Sequence, residues 1–266
     1  MLKSHHSSLE CCDDPKVYLH DEPPLPLRKL LTYPVVLSIA NYVTLAFLNI
    51  CALALLPLFL AMPLDIGGLN LSPAVISYII GSYGLTNVVF QVFYFSTIVR
   101  RWGERVVFIV AMSMFMPIFL TFPVINIFAR EWGHSSFSVW LLIGFLVVLL
   151  TLMDMAFGML VRLIFLLLND TTSPGVVFIF ITSSAPNPRS LGATNGLSQT
   201  TVSIARAIGP ALSTSLFSFS VEKNILGGFG VYVAFAALSV FAVYLATHLP
   251  PKPWDELEPK QFGTDS

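Results

Sequence analysis

The chain has 266 residues, of which 55% are hydrophobic and only 11% charged. Soluble domains carry about 25% charged residues, and together with a mean hydropathy of +0.78 this excludes an ordinary water-soluble globule. A formal charge of -1 leaves no basic footprint for nucleic acid, and Cys11, Cys12 and Cys51 supply neither a disulfide framework nor metal-ligand spacing.

Residues 1–34 are polar, acidic and proline-punctuated, with Cys11-Cys12-Asp13-Asp14-Pro15 and Pro23-Pro24-Leu25-Pro26. They lack the cationic start and apolar stretch of a secretory signal and read as a flexible cytoplasmic linker ending in Arg28-Lys29. Apolar segments follow over 35–62, 73–99, 106–129, 137–168 continued by 176–184, 191–219 and 229–249. About 20 apolar residues cross the hydrocarbon, so the expected fold is an all-α membrane protein, a six-transmembrane-helix bundle over 35–249. Residues 250–266 form a polar cytoplasmic tail. Pro57, Pro117, Pro123 and Pro210 fall inside spans, where neighbouring helices or side chains satisfy the freed carbonyls.

Six crossings put both termini on one side. That side then holds Lys3, Lys16, Arg28, Lys29, Arg100, Arg101, Arg105, Arg189, Lys252 and Lys260, and the opposite loops only Arg130 and Lys223. The positive-inside rule makes the cation-rich side cytoplasmic.

Two segments carry recognisable patterns. Arg100-Arg101-Trp102-Gly103-Glu104-Arg105 joins the second and third spans; glycine permits the tight bend and the cations hold the inner face, as in any short cytoplasmic loop. In the fifth span Gly192, Gly196, Ser203, Ala207, Ala211 and Ser215 recur close to four apart, which lets another helix approach closely. Gly209-Pro210 predicts a kink there.

The loop resembles the signature Gly-x-x-x-Asp-Arg-x-Gly-Arg-Lys of the major facilitator superfamily: Arg101, Gly103 and Arg105 fit, while Ser96 and Arg100 replace the family's Gly and Asp. Ala205 to Ser213 resembles its bend motif, Gly-x-x-x-Gly-Pro-x-x-Gly, with Ala205 and Ser213 for the outer glycines. Over residues 25–254 the chain resembles the C-terminal six-helix half of such a transporter, of the fungal drug:proton antiporter-like branch related to plant zinc-induced-facilitator-like carriers. Arg28 to Tyr42, Ser184 to Pro210 and Leu216 to Tyr232 carry the likeness. The resemblance implies a first six-helix half and a cytoplasmic loop before Arg28.

Charges within spans need a reason, since each costs about 2.5–3.5 kcal/mol at the bilayer centre. Arg206 reads as a contact to an anionic solute or to a carboxylate of the other half, or as a packed, carbonyl-bonded or snorkelling arginine. Asp154 reads as a protonatable group or as the partner of Arg206. Arg162, about 12 Å further along a helix and about 80° round it, is poorly placed to pair with Asp154. Among Asn41, Tyr42, Asn49, Asn87 and Gln91, which lie on otherwise apolar helices, Asn87 and Gln91 share a face. Asn41, Asn87, Gln91, Asp154 and Arg206 are the substrate-path candidates; interhelical hydrogen-bond glue is the bland alternative. Arg101, Gly103 and Arg105 are the gating-loop candidates, and Gly209 and Pro210 the bend.

The fourth run is over-long. Residues 159–175 interrupt an otherwise normal span made of Trp140–Gly158 and Val176–Ser184, and read as an insertion from a retained intron or misplaced exon boundary, the alternative being a re-entrant break. The expected function is movement of a small solute by alternating access, as one half of a two-bundle carrier that is incomplete unless joined by an N-terminal half or by self-association. The other reading is a non-transporting interaction subunit or truncated paralogue. No catalytic constellation or cofactor site is read from the sequence; the partners are the lipid bilayer of a plasma or vacuolar membrane and a small solute.

Overall fold

The computed structural model describes residues 33–133, 135–156 and 191–248. The first 32 residues of the expected linker, the insertion over 159–175, the 176–184 piece and the tail lie outside them.

Among the described residues the chain is helical without strands. The first span is α1, Tyr33–Ala61. The second is α2, Pro73–Phe90, followed by a π turn at Gln91–Phe95 and α3, Ser96–Trp102. The third is α4, Glu104–Ser113, and α5, Phe115–Trp132. Its break at Met114 has a local cause. Pro117 cannot donate to the Ser113 carbonyl, and Met114 N–H turns back to the carbonyls of Val110 and Ala111, both at 3.2 Å. The fourth span is α6, Phe137–Met153, running into a 3₁₀ turn at Asp154–Ala156. α7, Leu191–Glu222, corresponds to the expected fifth span and α8, Gly230–Thr247, to the expected sixth.

Five stretches, Val35–Ala61, Pro73–Phe95, Arg105–Trp132, Phe137–Ala156 and Gly230–Thr247, are long and apolar enough to cross a membrane. At 32 residues, about 48 Å, α7 is also long enough. It falls short in apolarity because Ser, Thr, Asn, Gln and Arg206 are spread along it.

The bundle is held by close packing. Phe59, Phe122 and Tyr232 form an aromatic cluster joining α1, α5 and α8, with centroids 5.0 Å apart for Phe59–Phe122 and for Phe122–Tyr232. Phe119 stacks on Phe235 at 5.3 Å. α7 packs chiefly on α1. The seam is not the expected small-residue stripe: Gly196, Ser203, Ala207, Ala211 and Ser215 are exposed. The buried side is Thr194, Ser198, Val202, Gly209 and Ser213, rotated about α7. There Gly209 lies so close to α1 that a Cβ would overlap Ile50 Cγ2, and the Cys51 thiol donates to the Gly209 carbonyl at 3.5 Å.

Candidate functional site

α2 is the least buried of the long apolar helices, yet it carries a buried tyrosine, Tyr83. Tyr83, Asn87 and Gln91 recur every fourth residue, so they stack on one face of a helix. Facing them is the end of α6, where Asp154 opens the 3₁₀ turn with 7% of its surface exposed. At 1.5 Å per residue Asp154 lies about 25 Å along from the start of α6, within the depth of a ~30 Å hydrocarbon layer.

Three side chains, from α1 and α2, donate to this carboxylate. The Tyr83 hydroxyl donates to Asp154 Oδ2. Asn87 Nδ2 donates to the same oxygen at 2.6 Å. Asn49 Nδ2, from α1, donates to Oδ1 at 3.2 Å and lies 4.0 Å from Met153 Sδ. Behind them Gln91 Nε2 donates to Asn87 Oδ1 at 2.8 Å. An ionised carboxylate is an acceptor only, and three donors match that chemistry. A buried charge is costly unless it is hydrogen-bonded or paired. Among the described residues the hydrogen bonds seen on it come from neutral groups, whose dipoles would solvate the ionised form.

The structure therefore brings together Asp154, Asn87 and Gln91 from the sequence-derived candidates and adds Asn49 and Tyr83. Asn49 stands out by type, an amide on an apolar helix. Tyr83 is missed by residue type, but its place one turn before Asn87 on the same face was available as a signal.

The remaining candidates lie elsewhere. Asn41 Nδ2 donates to the Leu37 carbonyl at 2.9 Å and to the Leu245 carbonyl at 3.3 Å, tying α1 to α8. Arg206 sits on the exposed side of α7. The hydrogen bonds seen on Asp154 among the described residues come from Asn49, Tyr83 and Asn87. Gln199 Nε2 reaches the Tyr42 hydroxyl at 3.4 Å.

In the loop, Gly103 has φ 80 and ψ 155, a conformation essentially restricted to glycine. Arg100 and Arg101 occupy the last turn of α3, where cations complement the helix dipole. Arg105 Nη2 donates to the Thr247 carbonyl at 2.7 Å, capping the end of α8 as a basic side chain does. The loop and the end of the last span thus lie at the same face. At the opposite face Asn126 Nδ2 donates to the carbonyls of Gly68 at 2.6 Å and Leu64 at 3.2 Å, and Arg130 Nη2 to that of Asp65 at 3.1 Å, bracing the turn between α1 and α2. Among the described residues no cluster of His, Cys, Asp and Glu is set to hold a metal ion.

The apolar helices mark a multi-pass membrane protein, with the Asp154 carboxylate in a buried polar cluster among them. The sequence is similar to major facilitator transporters. It is 24% identical over 233 residues to the major facilitator-type transporter psiT2 of Psilocybe cubensis, covering 86% of this chain and 42% of that protein. It is 24% identical over 206 residues to the major facilitator superfamily multidrug transporter mfsB of Aspergillus fumigatus, covering 74% and 31%. Against zinc induced facilitator 1 of Arabidopsis thaliana it is 24% identical over 216 residues, covering 80% and 40%. The chain thus spans well under half the length of these relatives, which fits a C-terminal fragment of that fold. No family model and no solved structure matches it.

Proposed function

We propose that the chain is the C-terminal lobe of a solute carrier that works by alternating access, and that the Asp154 cluster lies in the wall of the solute path. In carriers of two bundles, substrate sites lie near the bilayer midplane between the bundles, which rock about them. The observation that supports this reading is the buried carboxylate of Asp154, bound among the described residues by neutral donors of α1 and α2. Intramembrane ionisable groups are functional candidates by default. Arg206, on the exposed side of α7, belongs to the same proposal as a contact to solute or to the other lobe. The loop of Arg101, Gly103 and Arg105 is the proposed inner gate element and Gly209-Pro210 the bend of the fifth span. Cation distribution supports a cytoplasmic position for the loop and both termini in a plasma or vacuolar membrane.

The test is reconstitution in proteoliposomes, alone and together with the N-terminal half of a relative such as psiT2. A panel of small amines, zwitterions and weak acids is scored by radiolabel uptake. Uptake is expected only when the halves are combined, and Asp154→Asn should abolish it. Equal uptake by the Asp154→Asn variant would overturn the assignment of the path. A stable complex with a full-length carrier and no uptake in any combination would favour an interaction subunit instead.

A further inference from the structure

One amide at this site has two faces of opposite polarity. Asn87 directs Nδ2 at Asp154 Oδ2, 2.6 Å away, and Oδ1 at Gln91 Nε2, 2.8 Å away. A side-chain amide carries donors on its nitrogen and acceptor lone pairs on its oxygen. Turned through half a rotation, Asn87 would set its carbonyl oxygen against the carboxylate, acceptor to acceptor. Asp154 alone favours the observed orientation, and Gln91 secures it from the other side by occupying Oδ1. Gln91 is itself anchored: it opens the π turn, and its backbone N–H reaches the carbonyls of both Asn87 and Val88. Asn87 and Gln91 are thus tied twice, through main chain and side chain. Turns of this wide kind recur inside helices at functional sites.

We infer that Gln91 is a positioning residue that locks the Asn87 amide with its donor toward Asp154, so that the hydrogen bonding of the carboxylate is set from one helical turn away. The inference rests on the reading of the Asp154 cluster as the polar centre of the solute path, but its geometry is testable without transport. Gln91→Met removes the side-chain donor at nearly constant length. Gln91→Glu substitutes an acceptor, which draws Asn87 Nδ2 to itself and turns Oδ1 toward Asp154.

The chain is reconstituted in lipid nanodiscs with carbon-13-labelled aspartate, and the Asp154 carboxylate band is identified in the infrared difference against Asp154→Asn. Far-ultraviolet circular dichroism confirms that each variant retains its helix content. The band should shift in Gln91→Met and shift further in Gln91→Glu. In an Asn87→Leu background, where there is no amide to turn, Gln91→Met should leave the band unchanged. An unmoved band in folded Gln91→Met and Gln91→Glu would overturn the positioning role while leaving the transport proposal intact. The expected shifts, found together with uptake that does not depend on Asp154, would sink the transport proposal alone.

Discussion

Tyr83→Phe isolates one leg of the support under Asp154. The change deletes a single oxygen and keeps a ring that is 9% exposed, so packing of α2 is preserved. Oδ2 is left with Asn87 and Oδ1 with Asn49. Hydrogen bonds to charged groups are worth about 1.5–3 kcal/mol in soluble proteins, whereas interhelical bonds in a membrane protein average about 0.6 and reach about 1.7 kcal/mol. The acceptor here is a carboxylate whose donors among the described residues are neutral, which places the expected loss near the upper membrane figure. We therefore expect about 1.5 kcal/mol, roughly tenfold in the unfolding constant. Reversible denaturation in mixed dodecyl sulfate micelles, followed by circular dichroism, measures it. In an Asp154→Leu background the hydroxyl has lost its acceptor, so Tyr83→Phe should cost within about 0.3 kcal/mol of zero. Equal costs in the two backgrounds would show that the hydroxyl contributes nothing through Asp154, and the reasoning would fail.

Other expectations follow from single contacts. Asn49→Leu removes the donor seen on Oδ1 and should cost up to about 1.7 kcal/mol in the same assay. Gly209→Ala drives a Cβ into Ile50 Cγ2 and should cost about 1–3 kcal/mol; Ile50→Ala should restore part of that loss. Gly103→Ala has open space for its Cβ but an unfavourable backbone conformation, so a cost of about 1–3 kcal/mol should be indifferent to Ile50→Ala. Asn126→Leu releases the carbonyls of Leu64 and Gly68 and should raise the labelling rate of an Asp65→Cys reporter by a membrane-impermeant maleimide, with no change expected for a reporter placed at Thr97.

The all-α membrane class was legible because hydrocarbon imposes a length and composition that few other environments tolerate. Asp154, Asn87 and Gln91 were legible for a related reason: a polar group on an apolar helix stands out against its background. Tyr83 did not, because an aromatic ring on such a helix also suits packing or lipid contact, and only the position of its hydroxyl opposite Asp154 distinguishes it. The fifth span shows a different limit. Small residues line more than one side of α7, so spacing alone could not choose between the exposed Ala207–Ala211 side and the buried side of Ser198, Gly209 and Ser213. That choice depends on Ile50 and Cys51, more than a hundred residues away in sequence. The bracing of the turn between α1 and α2 by Asn126 and Arg130 is hidden for the same reason.

Two kinds of cohesion operate in this bundle. In lipid there is no hydrophobic gain from bringing helices together, because the tails are as apolar as leucine, so association rests on close packing and hydrogen bonds. α1, α5, α7 and α8 use packing: Phe59, Phe122 and Tyr232 form one cluster, and Gly209 lies against α1. α2 is less buried, and its polar tie to the rest runs through Tyr83 and Asn87 to Asp154. The same carboxylate that is proposed to face the solute path therefore also holds the least embedded helix. A change in what Asp154 binds must alter that tie, because a donor engaged elsewhere is lost to Oδ2. Under the transport proposal, occupation of the site and attachment of α2 are consequently linked, and substitutions at Asp154 should loosen α2 more than α7. Measured helix by helix, hydrogen exchange in Asp154→Leu should rise across Tyr83–Asn87 while the Gly209 region of α7 remains near wild type; a uniform rise across both would refute a local tie.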